Sequence, residues 1–136
     1  YYQMLNRLKI KIDYSFGYAD NVGFRAGTSR RFRFFDLQNN QPTDLIIQPL
    51  VAMDVTLRNY MGLTPQQASE RLSVLIDTLR QTNGLFTTLW HNQHFLQKGK
   101  WQPWDAVYEE MLKMVDESST QGITKAPLEN RMGLIK

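Results

Sequence analysis

Residues 64–90 constrain the fold of this chain more than any other stretch. Thr64, Pro65 and Gln67 write a helix start: a threonine able to cap, a proline at the first helical position, and a glutamine that completes a capping box. Ala68, Leu72, Leu75, Ile76 and Leu79 follow at helical spacing and form one apolar stripe. Gly84 marks the stop. Directly after it, Leu85, Phe86, Thr87, Thr88, Leu89 and Trp90 are aromatic, aliphatic and β-branched, which predicts a strand covered on both faces. A capped amphipathic helix feeding such a strand belongs to βαβ architecture with a mainly parallel sheet.

The rest of the chain extends that rhythm. Residues 45–51 predict a second strand, with Pro49 placing it near an edge or a bulge. Residues 10–13 alternate apolar and polar and predict a short strand, entered from a helix end at residues 4–8. Residues 14–36 show no sustained period, are broken by Gly17, Gly23 and Gly27, and predict a long ordered loop. A second helix is expected over about residues 104–118, burying Trp104, Tyr108, Met111, Leu112 and Val115. Asp105, Glu109 and Glu110 suit its dipole. Ile123 and Thr124 are candidates for a last short strand. Three or four strands are too few to close a barrel, so the pattern predicts half of something larger.

Composition narrows the chemistry. The chain has 136 residues, room for one domain and not two. A net charge of +3 is too mild to imply nucleic acid by itself. Cysteine is absent, which excludes disulfides and thiolate zinc sites and suits a cytoplasmic protein. No run of about 18 apolar residues is present to cross a membrane as a helix. The chain begins at Tyr1 without a signal-peptide pattern, directly inside apparent structure, and is expected to be a truncated piece.

Reactive groups in parallel α/β folds gather at the C-terminal ends of strands. The predicted strand at 85–90 ends in Trp90 and His91, so His91 is a candidate general acid or base; equally it could serve only to bond a neighbouring loop. His94 is expected in an exposed loop. His91 and His94 make a weak metal pair without an Asp or Glu at suitable spacing. Asp54 holds a strand-end position too, and on spacing alone reads as a turn or capping aspartate. Residues 23–35 hold four arginines and four phenylalanines. They suit a nucleic-acid surface, an anion or sugar site, or a loop anchored by its rings; the last accounts best for Phe32, Arg33 and Phe34, while Arg25, fenced by glycines, is the candidate ligand contact. Trp90, Trp101 and Trp104 suit either stacking on carbohydrate or a core.

Four short segments in order carry a resemblance. Residues 12–20 lead into Gly23, Phe24, Arg25, Ala26, Gly27 and Thr28; residues 49–57 contain Met53, Asp54 and Val55; Leu89, Trp90, His91 and Asn92 close the series. Together they resemble polysaccharide deacetylases of the NodB-homology type, in a bacterial subgroup, over roughly residues 8–112. The resemblance implies a distorted (β/α) barrel of which residues 1–136 are the C-terminal portion. It also implies a hydrolase that removes acetyl groups from a glycan or polysaccharide with a divalent metal, zinc as a rule. In that family the metal ligands and catalytic base lie early in the domain, so the metal would be held by residues outside this chain and the chain alone would be inactive. His91 would be the acid that protonates the leaving group. Leu89 and Trp90 would shape the acetyl pocket, Asp54 would meet substrate or support the site, Asp13 would support it from behind, and Arg25 would lie on the substrate loop. Arg31 stands where the family pattern has proline, and Thr88 where it has an apolar residue. A relative that binds glycan without catalysis is the alternative, and a nucleic-acid-binding domain a third.

Overall fold

The computed structural model of the chain describes residues 1–95 and 99–119. It opens with helix α1 (Tyr2–Arg7), which turns at Lys9 into strand β1 (Ile12–Asp13). After the loop come β2 (Phe32–Asp36), β3 (Gln41–Ile47), β4 (Ala52–Met53) and a π-helical turn at Thr56–Tyr60. Helix α2 (Pro65–Thr82), β5 (Thr88–Leu89), a 3₁₀ turn at Asn92–His94 and α3 (Trp104–Ser119) complete it. The fold is mixed α/β. Its strands form two open sheets, one ordered β1-β3-β2 and one β4-β5.

One stretch of backbone joins the two sheets. β3 pairs parallel with β1, Ile46 opposite Ile12 and Ile47 opposite Asp13. Past β3 the chain keeps extended contact on that side, with Gln48 N–H donating to Asp13 O and Leu50 N–H to Phe16 O, both 2.9 Å. It then changes neighbour: Val51 N–H donates to Thr87 O at 2.8 Å, and β4 pairs parallel with β5. Of the strand expected at 45–51, only residues 45–47 are regular, as the end of β3; the ladder breaks off before Pro49, which has no N–H to give, and β4 begins at Ala52. The strand expected at 85–90 is regular only at Thr88–Leu89.

Between the sheets, the buried Gln48 amide donates to Ser29 O at 3.1 Å and to Thr87 Oγ1 at 3.0 Å. Ser29 Oγ in turn accepts from Leu85 N–H at 3.1 Å. These bonds satisfy polar groups taken out of water and tie the long loop to both sheets.

β2 lies inside the segment expected to be wholly loop. It pairs antiparallel with β3 through a tight turn in which Asn40 adopts φ 49°. The expectation failed because β2 lacks alternation: of its five residues only Asp36 is buried, and Phe32 and Phe35 are exposed. Its rings pack locally, Phe32 edge-on to Phe16 and Phe34 against Tyr2. Arg33 pairs with Asp44 in the open. The aromatics of this stretch anchor the loop and hairpin.

The two long helices, α2 and α3, form where their sequences dictate. Thr64 Oγ1 accepts from Gln67 N–H while the Gln67 side chain accepts from Thr64 N–H, closing the capping box. The stop is Asn83, in the left-handed conformation at φ 51°, one residue before the expected glycine. The apolar stripe of α2, with Ala68, Leu72, Leu75 and Ile76, packs against Trp104, Val107 and Met111 of α3. Each of the leucine, isoleucine, valine and methionine side chains among them contributes about 1.5–3 kcal/mol by leaving water. Leu112, expected in this core, is exposed, and Val107, five residues earlier and one turn before Met111, is buried there instead. No helix of the described residues is long and apolar enough to cross a membrane. Ile123 and Thr124 lie outside the described residues.

Candidate functional site: a buried carboxylate between two imidazoles

Parallel pairing of β4 with β5 places Ala52 opposite Thr88 and Met53 opposite Leu89. Both strands therefore end together, and the residues after each are delivered to the same edge. Asp54 is the first residue past β4, and His91 lies two residues past Leu89. The topology thus joins groups that sequence separates widely.

Asp54 is fully buried. Its Oδ1 accepts from Val55 N–H at 2.7 Å and meets His91 Nδ1 at 2.6 Å. Its Oδ2 accepts from His91 N–H at 3.0 Å and meets His94 Nδ1 at 2.6 Å. Burial by itself would push this carboxyl up. The bonds from His94 and His91, with the two backbone N–H groups, outweigh that and hold it below its ordinary value. An ionised carboxylate only accepts, so each imidazole must present its proton on Nδ1. In a neutral ring the other nitrogen, Nε2, then carries the lone pair. The Gln93 amide nitrogen, 3.5 Å from His94 Nε2, fits that assignment because it can only donate.

The two rings differ in exposure. The His91 side chain is 36% exposed, and its Nε2 makes no hydrogen bond among the described residues, which leaves it open to solvent or a ligand. The His94 side chain is 11% exposed. It stacks on Trp101 with ring centres 3.7 Å apart and planes 6° from parallel. The guanidinium of Arg58 lies 4.3 Å over the same indole, a cation–π contact that the π-helical turn after Asp54 makes possible.

Of the residues singled out in the sequence, Asp54 and His91 come into direct contact. Asp54 is a buried anion that orients imidazoles, not the turn aspartate its spacing alone suggested. Leu89 and Asp13 share another feature, a cleft of about 510 Å³ between β1 and the β4-β5 sheet, lined also by Ile12, Tyr14, Met53 and Thr88. Asp13 is held there by Ser15 N–H and Oγ and by the Tyr1 hydroxyl. Arg25 donates to Gly17 O at 2.8 Å and lies 4.9 Å over the Phe16 ring, so its described contacts fasten the loop. Trp90 faces the opposite way from Leu89, as strand alternation requires, and packs on Tyr108 at 5.2 Å.

His94 departs from expectation. It is largely covered, and it belongs to the site through the carboxylate that its sequence neighbourhood lacks. Asp54, His91 and His94 form a set of potential metal ligands whose donor atoms all lie within 4.8 Å of one another. The three-residue interval between the histidines, spanned by the 3₁₀ turn, was the one signal for this arrangement. Nothing in the sequence announced the Arg58–Trp101 contact. Comparison of the chain with known protein families, curated proteins and solved structures finds no match.

Proposed function

We propose that this chain supplies the proton-donating half of a carbohydrate deacetylase, with His91 as general acid and Asp54 as its positioning residue. The observation that carries this is the 2.6 Å contact between Asp54 Oδ1 and His91 Nδ1 at the shared C-terminal edge of two parallel strands. A carboxylate that accepts from Nδ1 fixes the ring and its tautomer and directs proton exchange to Nε2. This is the service a buried aspartate performs for a catalytic histidine in acyl-transfer sites generally.

The sequence resemblance supports the substrate class, since His91 and Asp54 fall in two of its four segments. In the proposed reaction water adds to the acetyl carbonyl and the C–N or C–O bond to the sugar breaks. The departing amine or alkoxide takes the Nε2 proton of His91 in its doubly protonated imidazolium form, leaving acetate, the free sugar group and a neutral ring that keeps its Nδ1 proton against Asp54. The cleft lined by Leu89, Met53 and Asp13 includes the strand residues just before Asp54 and His91 and has an apolar wall suited to an acetyl methyl. The divalent metal implied by the resemblance would activate the water, and we place its ligands outside these 136 residues, in a distorted (β/α) barrel that this open fold would complete.

Acetate release from N-acetylated chito-oligosaccharides and O-acetylated xylan, by the protein that carries this segment together with the barrel's other strands, tests the proposal. His91→Ala should lower kcat by about 10²–10⁴-fold with folding intact. A rate close to the parent's would remove His91 from the chemistry. Glycan binding with no acetate release by the parent protein would favour a non-catalytic relative instead.

A further inference from the structure

We infer that Asp54, His91 and His94 also constitute a binding site for a divalent transition metal of the zinc type, whose occupancy withdraws His91 from proton transfer. Metal binding stands on the geometry alone; the consequence for proton transfer rests on the acid role proposed above.

The donor set is two imidazole nitrogens and one carboxylate oxygen, drawn from the end of β4, the end of β5 and the 3₁₀ turn. Three protein ligands with a fourth position left to water are what zinc takes at open sites. Soft and borderline ions suit imidazole, whereas calcium and magnesium require a shell of oxygens that one carboxylate does not furnish. The charge also suits a dication. Among the described residues no lysine or arginine bonds Asp54; its partners are two imidazoles and two backbone N–H groups. The anion is completely buried, and stacked Trp101 shields the His94 side of the site from water.

The adjustment is small. Each Nδ1 now sits 2.6 Å from a carboxylate oxygen, a hydrogen-bond separation. Zinc bonds of about 2.0–2.2 Å at tetrahedral angles hold donor atoms roughly 3.3 Å apart. The rings bond different oxygens of the carboxylate and the three donor atoms lie within 4.8 Å of one another, so gathering them on one ion takes shifts of about 1–1.5 Å, which His91, on the accessible side, has room to make. On binding, each neutral ring gives its Nδ1 lone pair to the metal and moves its proton to Nε2. No proton is released overall, and the His91 proton is then no longer backed by the Asp54 carboxylate.

The test is calorimetric titration of the purified, untagged, metal-stripped chain with zinc chloride, and with magnesium chloride as the contrast. One zinc per chain should bind in the micromolar range, with no heat from magnesium. His91→Gln and His94→Gln should each weaken zinc binding by at least about tenfold while the far-ultraviolet dichroism stays that of the parent. Absence of zinc binding, or binding that survives both substitutions, overturns the site. In the active protein, zinc added beyond what activity needs should inhibit over the same concentration range. Binding that requires both histidines without inhibition would keep the metal site and remove its link to His91. Loss of acetate release in His91→Ala with no zinc binding would keep the acid and remove the metal site.

Discussion

Asp54 Oδ1 and His91 Nδ1 lie 2.6 Å apart although 37 positions separate them in the chain. The contact exists because β4 and β5 are parallel neighbours in register, so their ends deliver both residues to one edge. The same carboxylate reaches His94 with its other oxygen, which makes one buried anion the anchor of two imidazoles.

Removing that anchor should cost stability as well as function. Asp54→Ala leaves two ring N–H groups and two backbone N–H groups without their acceptor, in a place where Asp54 is wholly shielded from water. We expect a loss of about 3 kcal/mol in urea unfolding. A change below about 1 kcal/mol would mean that water replaces the carboxylate at little cost.

The pH dependence comes from the depressed carboxyl of Asp54. A group whose folded-state value lies below its unfolded one contributes stability above the unfolded value, about 3.9 for aspartate, and loses it as pH falls through the folded value. The urea midpoint of the parent chain should therefore drop more steeply below about pH 4 than that of Asp54→Asn, which cannot titrate there. Parallel curves for the two proteins would contradict the account of this group.

The start of α2 rests on a two-way cap between Thr64 and Gln67. Thr64→Ala should destabilise the chain by about 1 kcal/mol, and Thr64→Ser by much less, because serine offers the same acceptor. Thermal unfolding followed by circular dichroism separates the two.

At Gly84 the backbone approaches its surroundings too closely for a side chain. A Cβ there would run into Ser29 Oγ and would lie 2.5 Å from Leu79 Cδ2. Ser29 is already engaged by Leu85 N–H, so it cannot turn away freely. Gly84→Ala should destabilise by about 1–3 kcal/mol in urea unfolding. The companion Ser29→Ala should not restore stability, since it loses the Leu85 bond.

Local structure was legible wherever one period or one cap dominated. Thr64, Pro65 and Gln67 announced α2, its stripe announced the core, and Trp104 marked the start of α3. β2 was hidden because its phenylalanines face both ways and its one buried residue is an aspartate. Leu112 was expected in the core and Val107 was not, because the buried face of α3 is set by where α2 lies, a tertiary fact that apolar identity does not carry. The candidate site was half legible. His91 stood out by its place after a strand, whereas Asp54 looked ordinary until strand pairing supplied its partners. His94 was hidden for the same reason: the carboxylate that recruits it lies 40 positions away.

The claim on which the rest depends is that Asp54 holds His91 by Nδ1 and leaves Nε2 for exchange. Long-range ¹⁵N–¹H correlation spectra of the chain, recorded at alkaline pH, report the tautomer of each ring directly. His91 and His94 should both carry their proton on Nδ1, and Asp54→Ala should abolish this preference in both. A His91 ring found with its proton on Nε2, or one unmoved by Asp54→Ala, would contradict it.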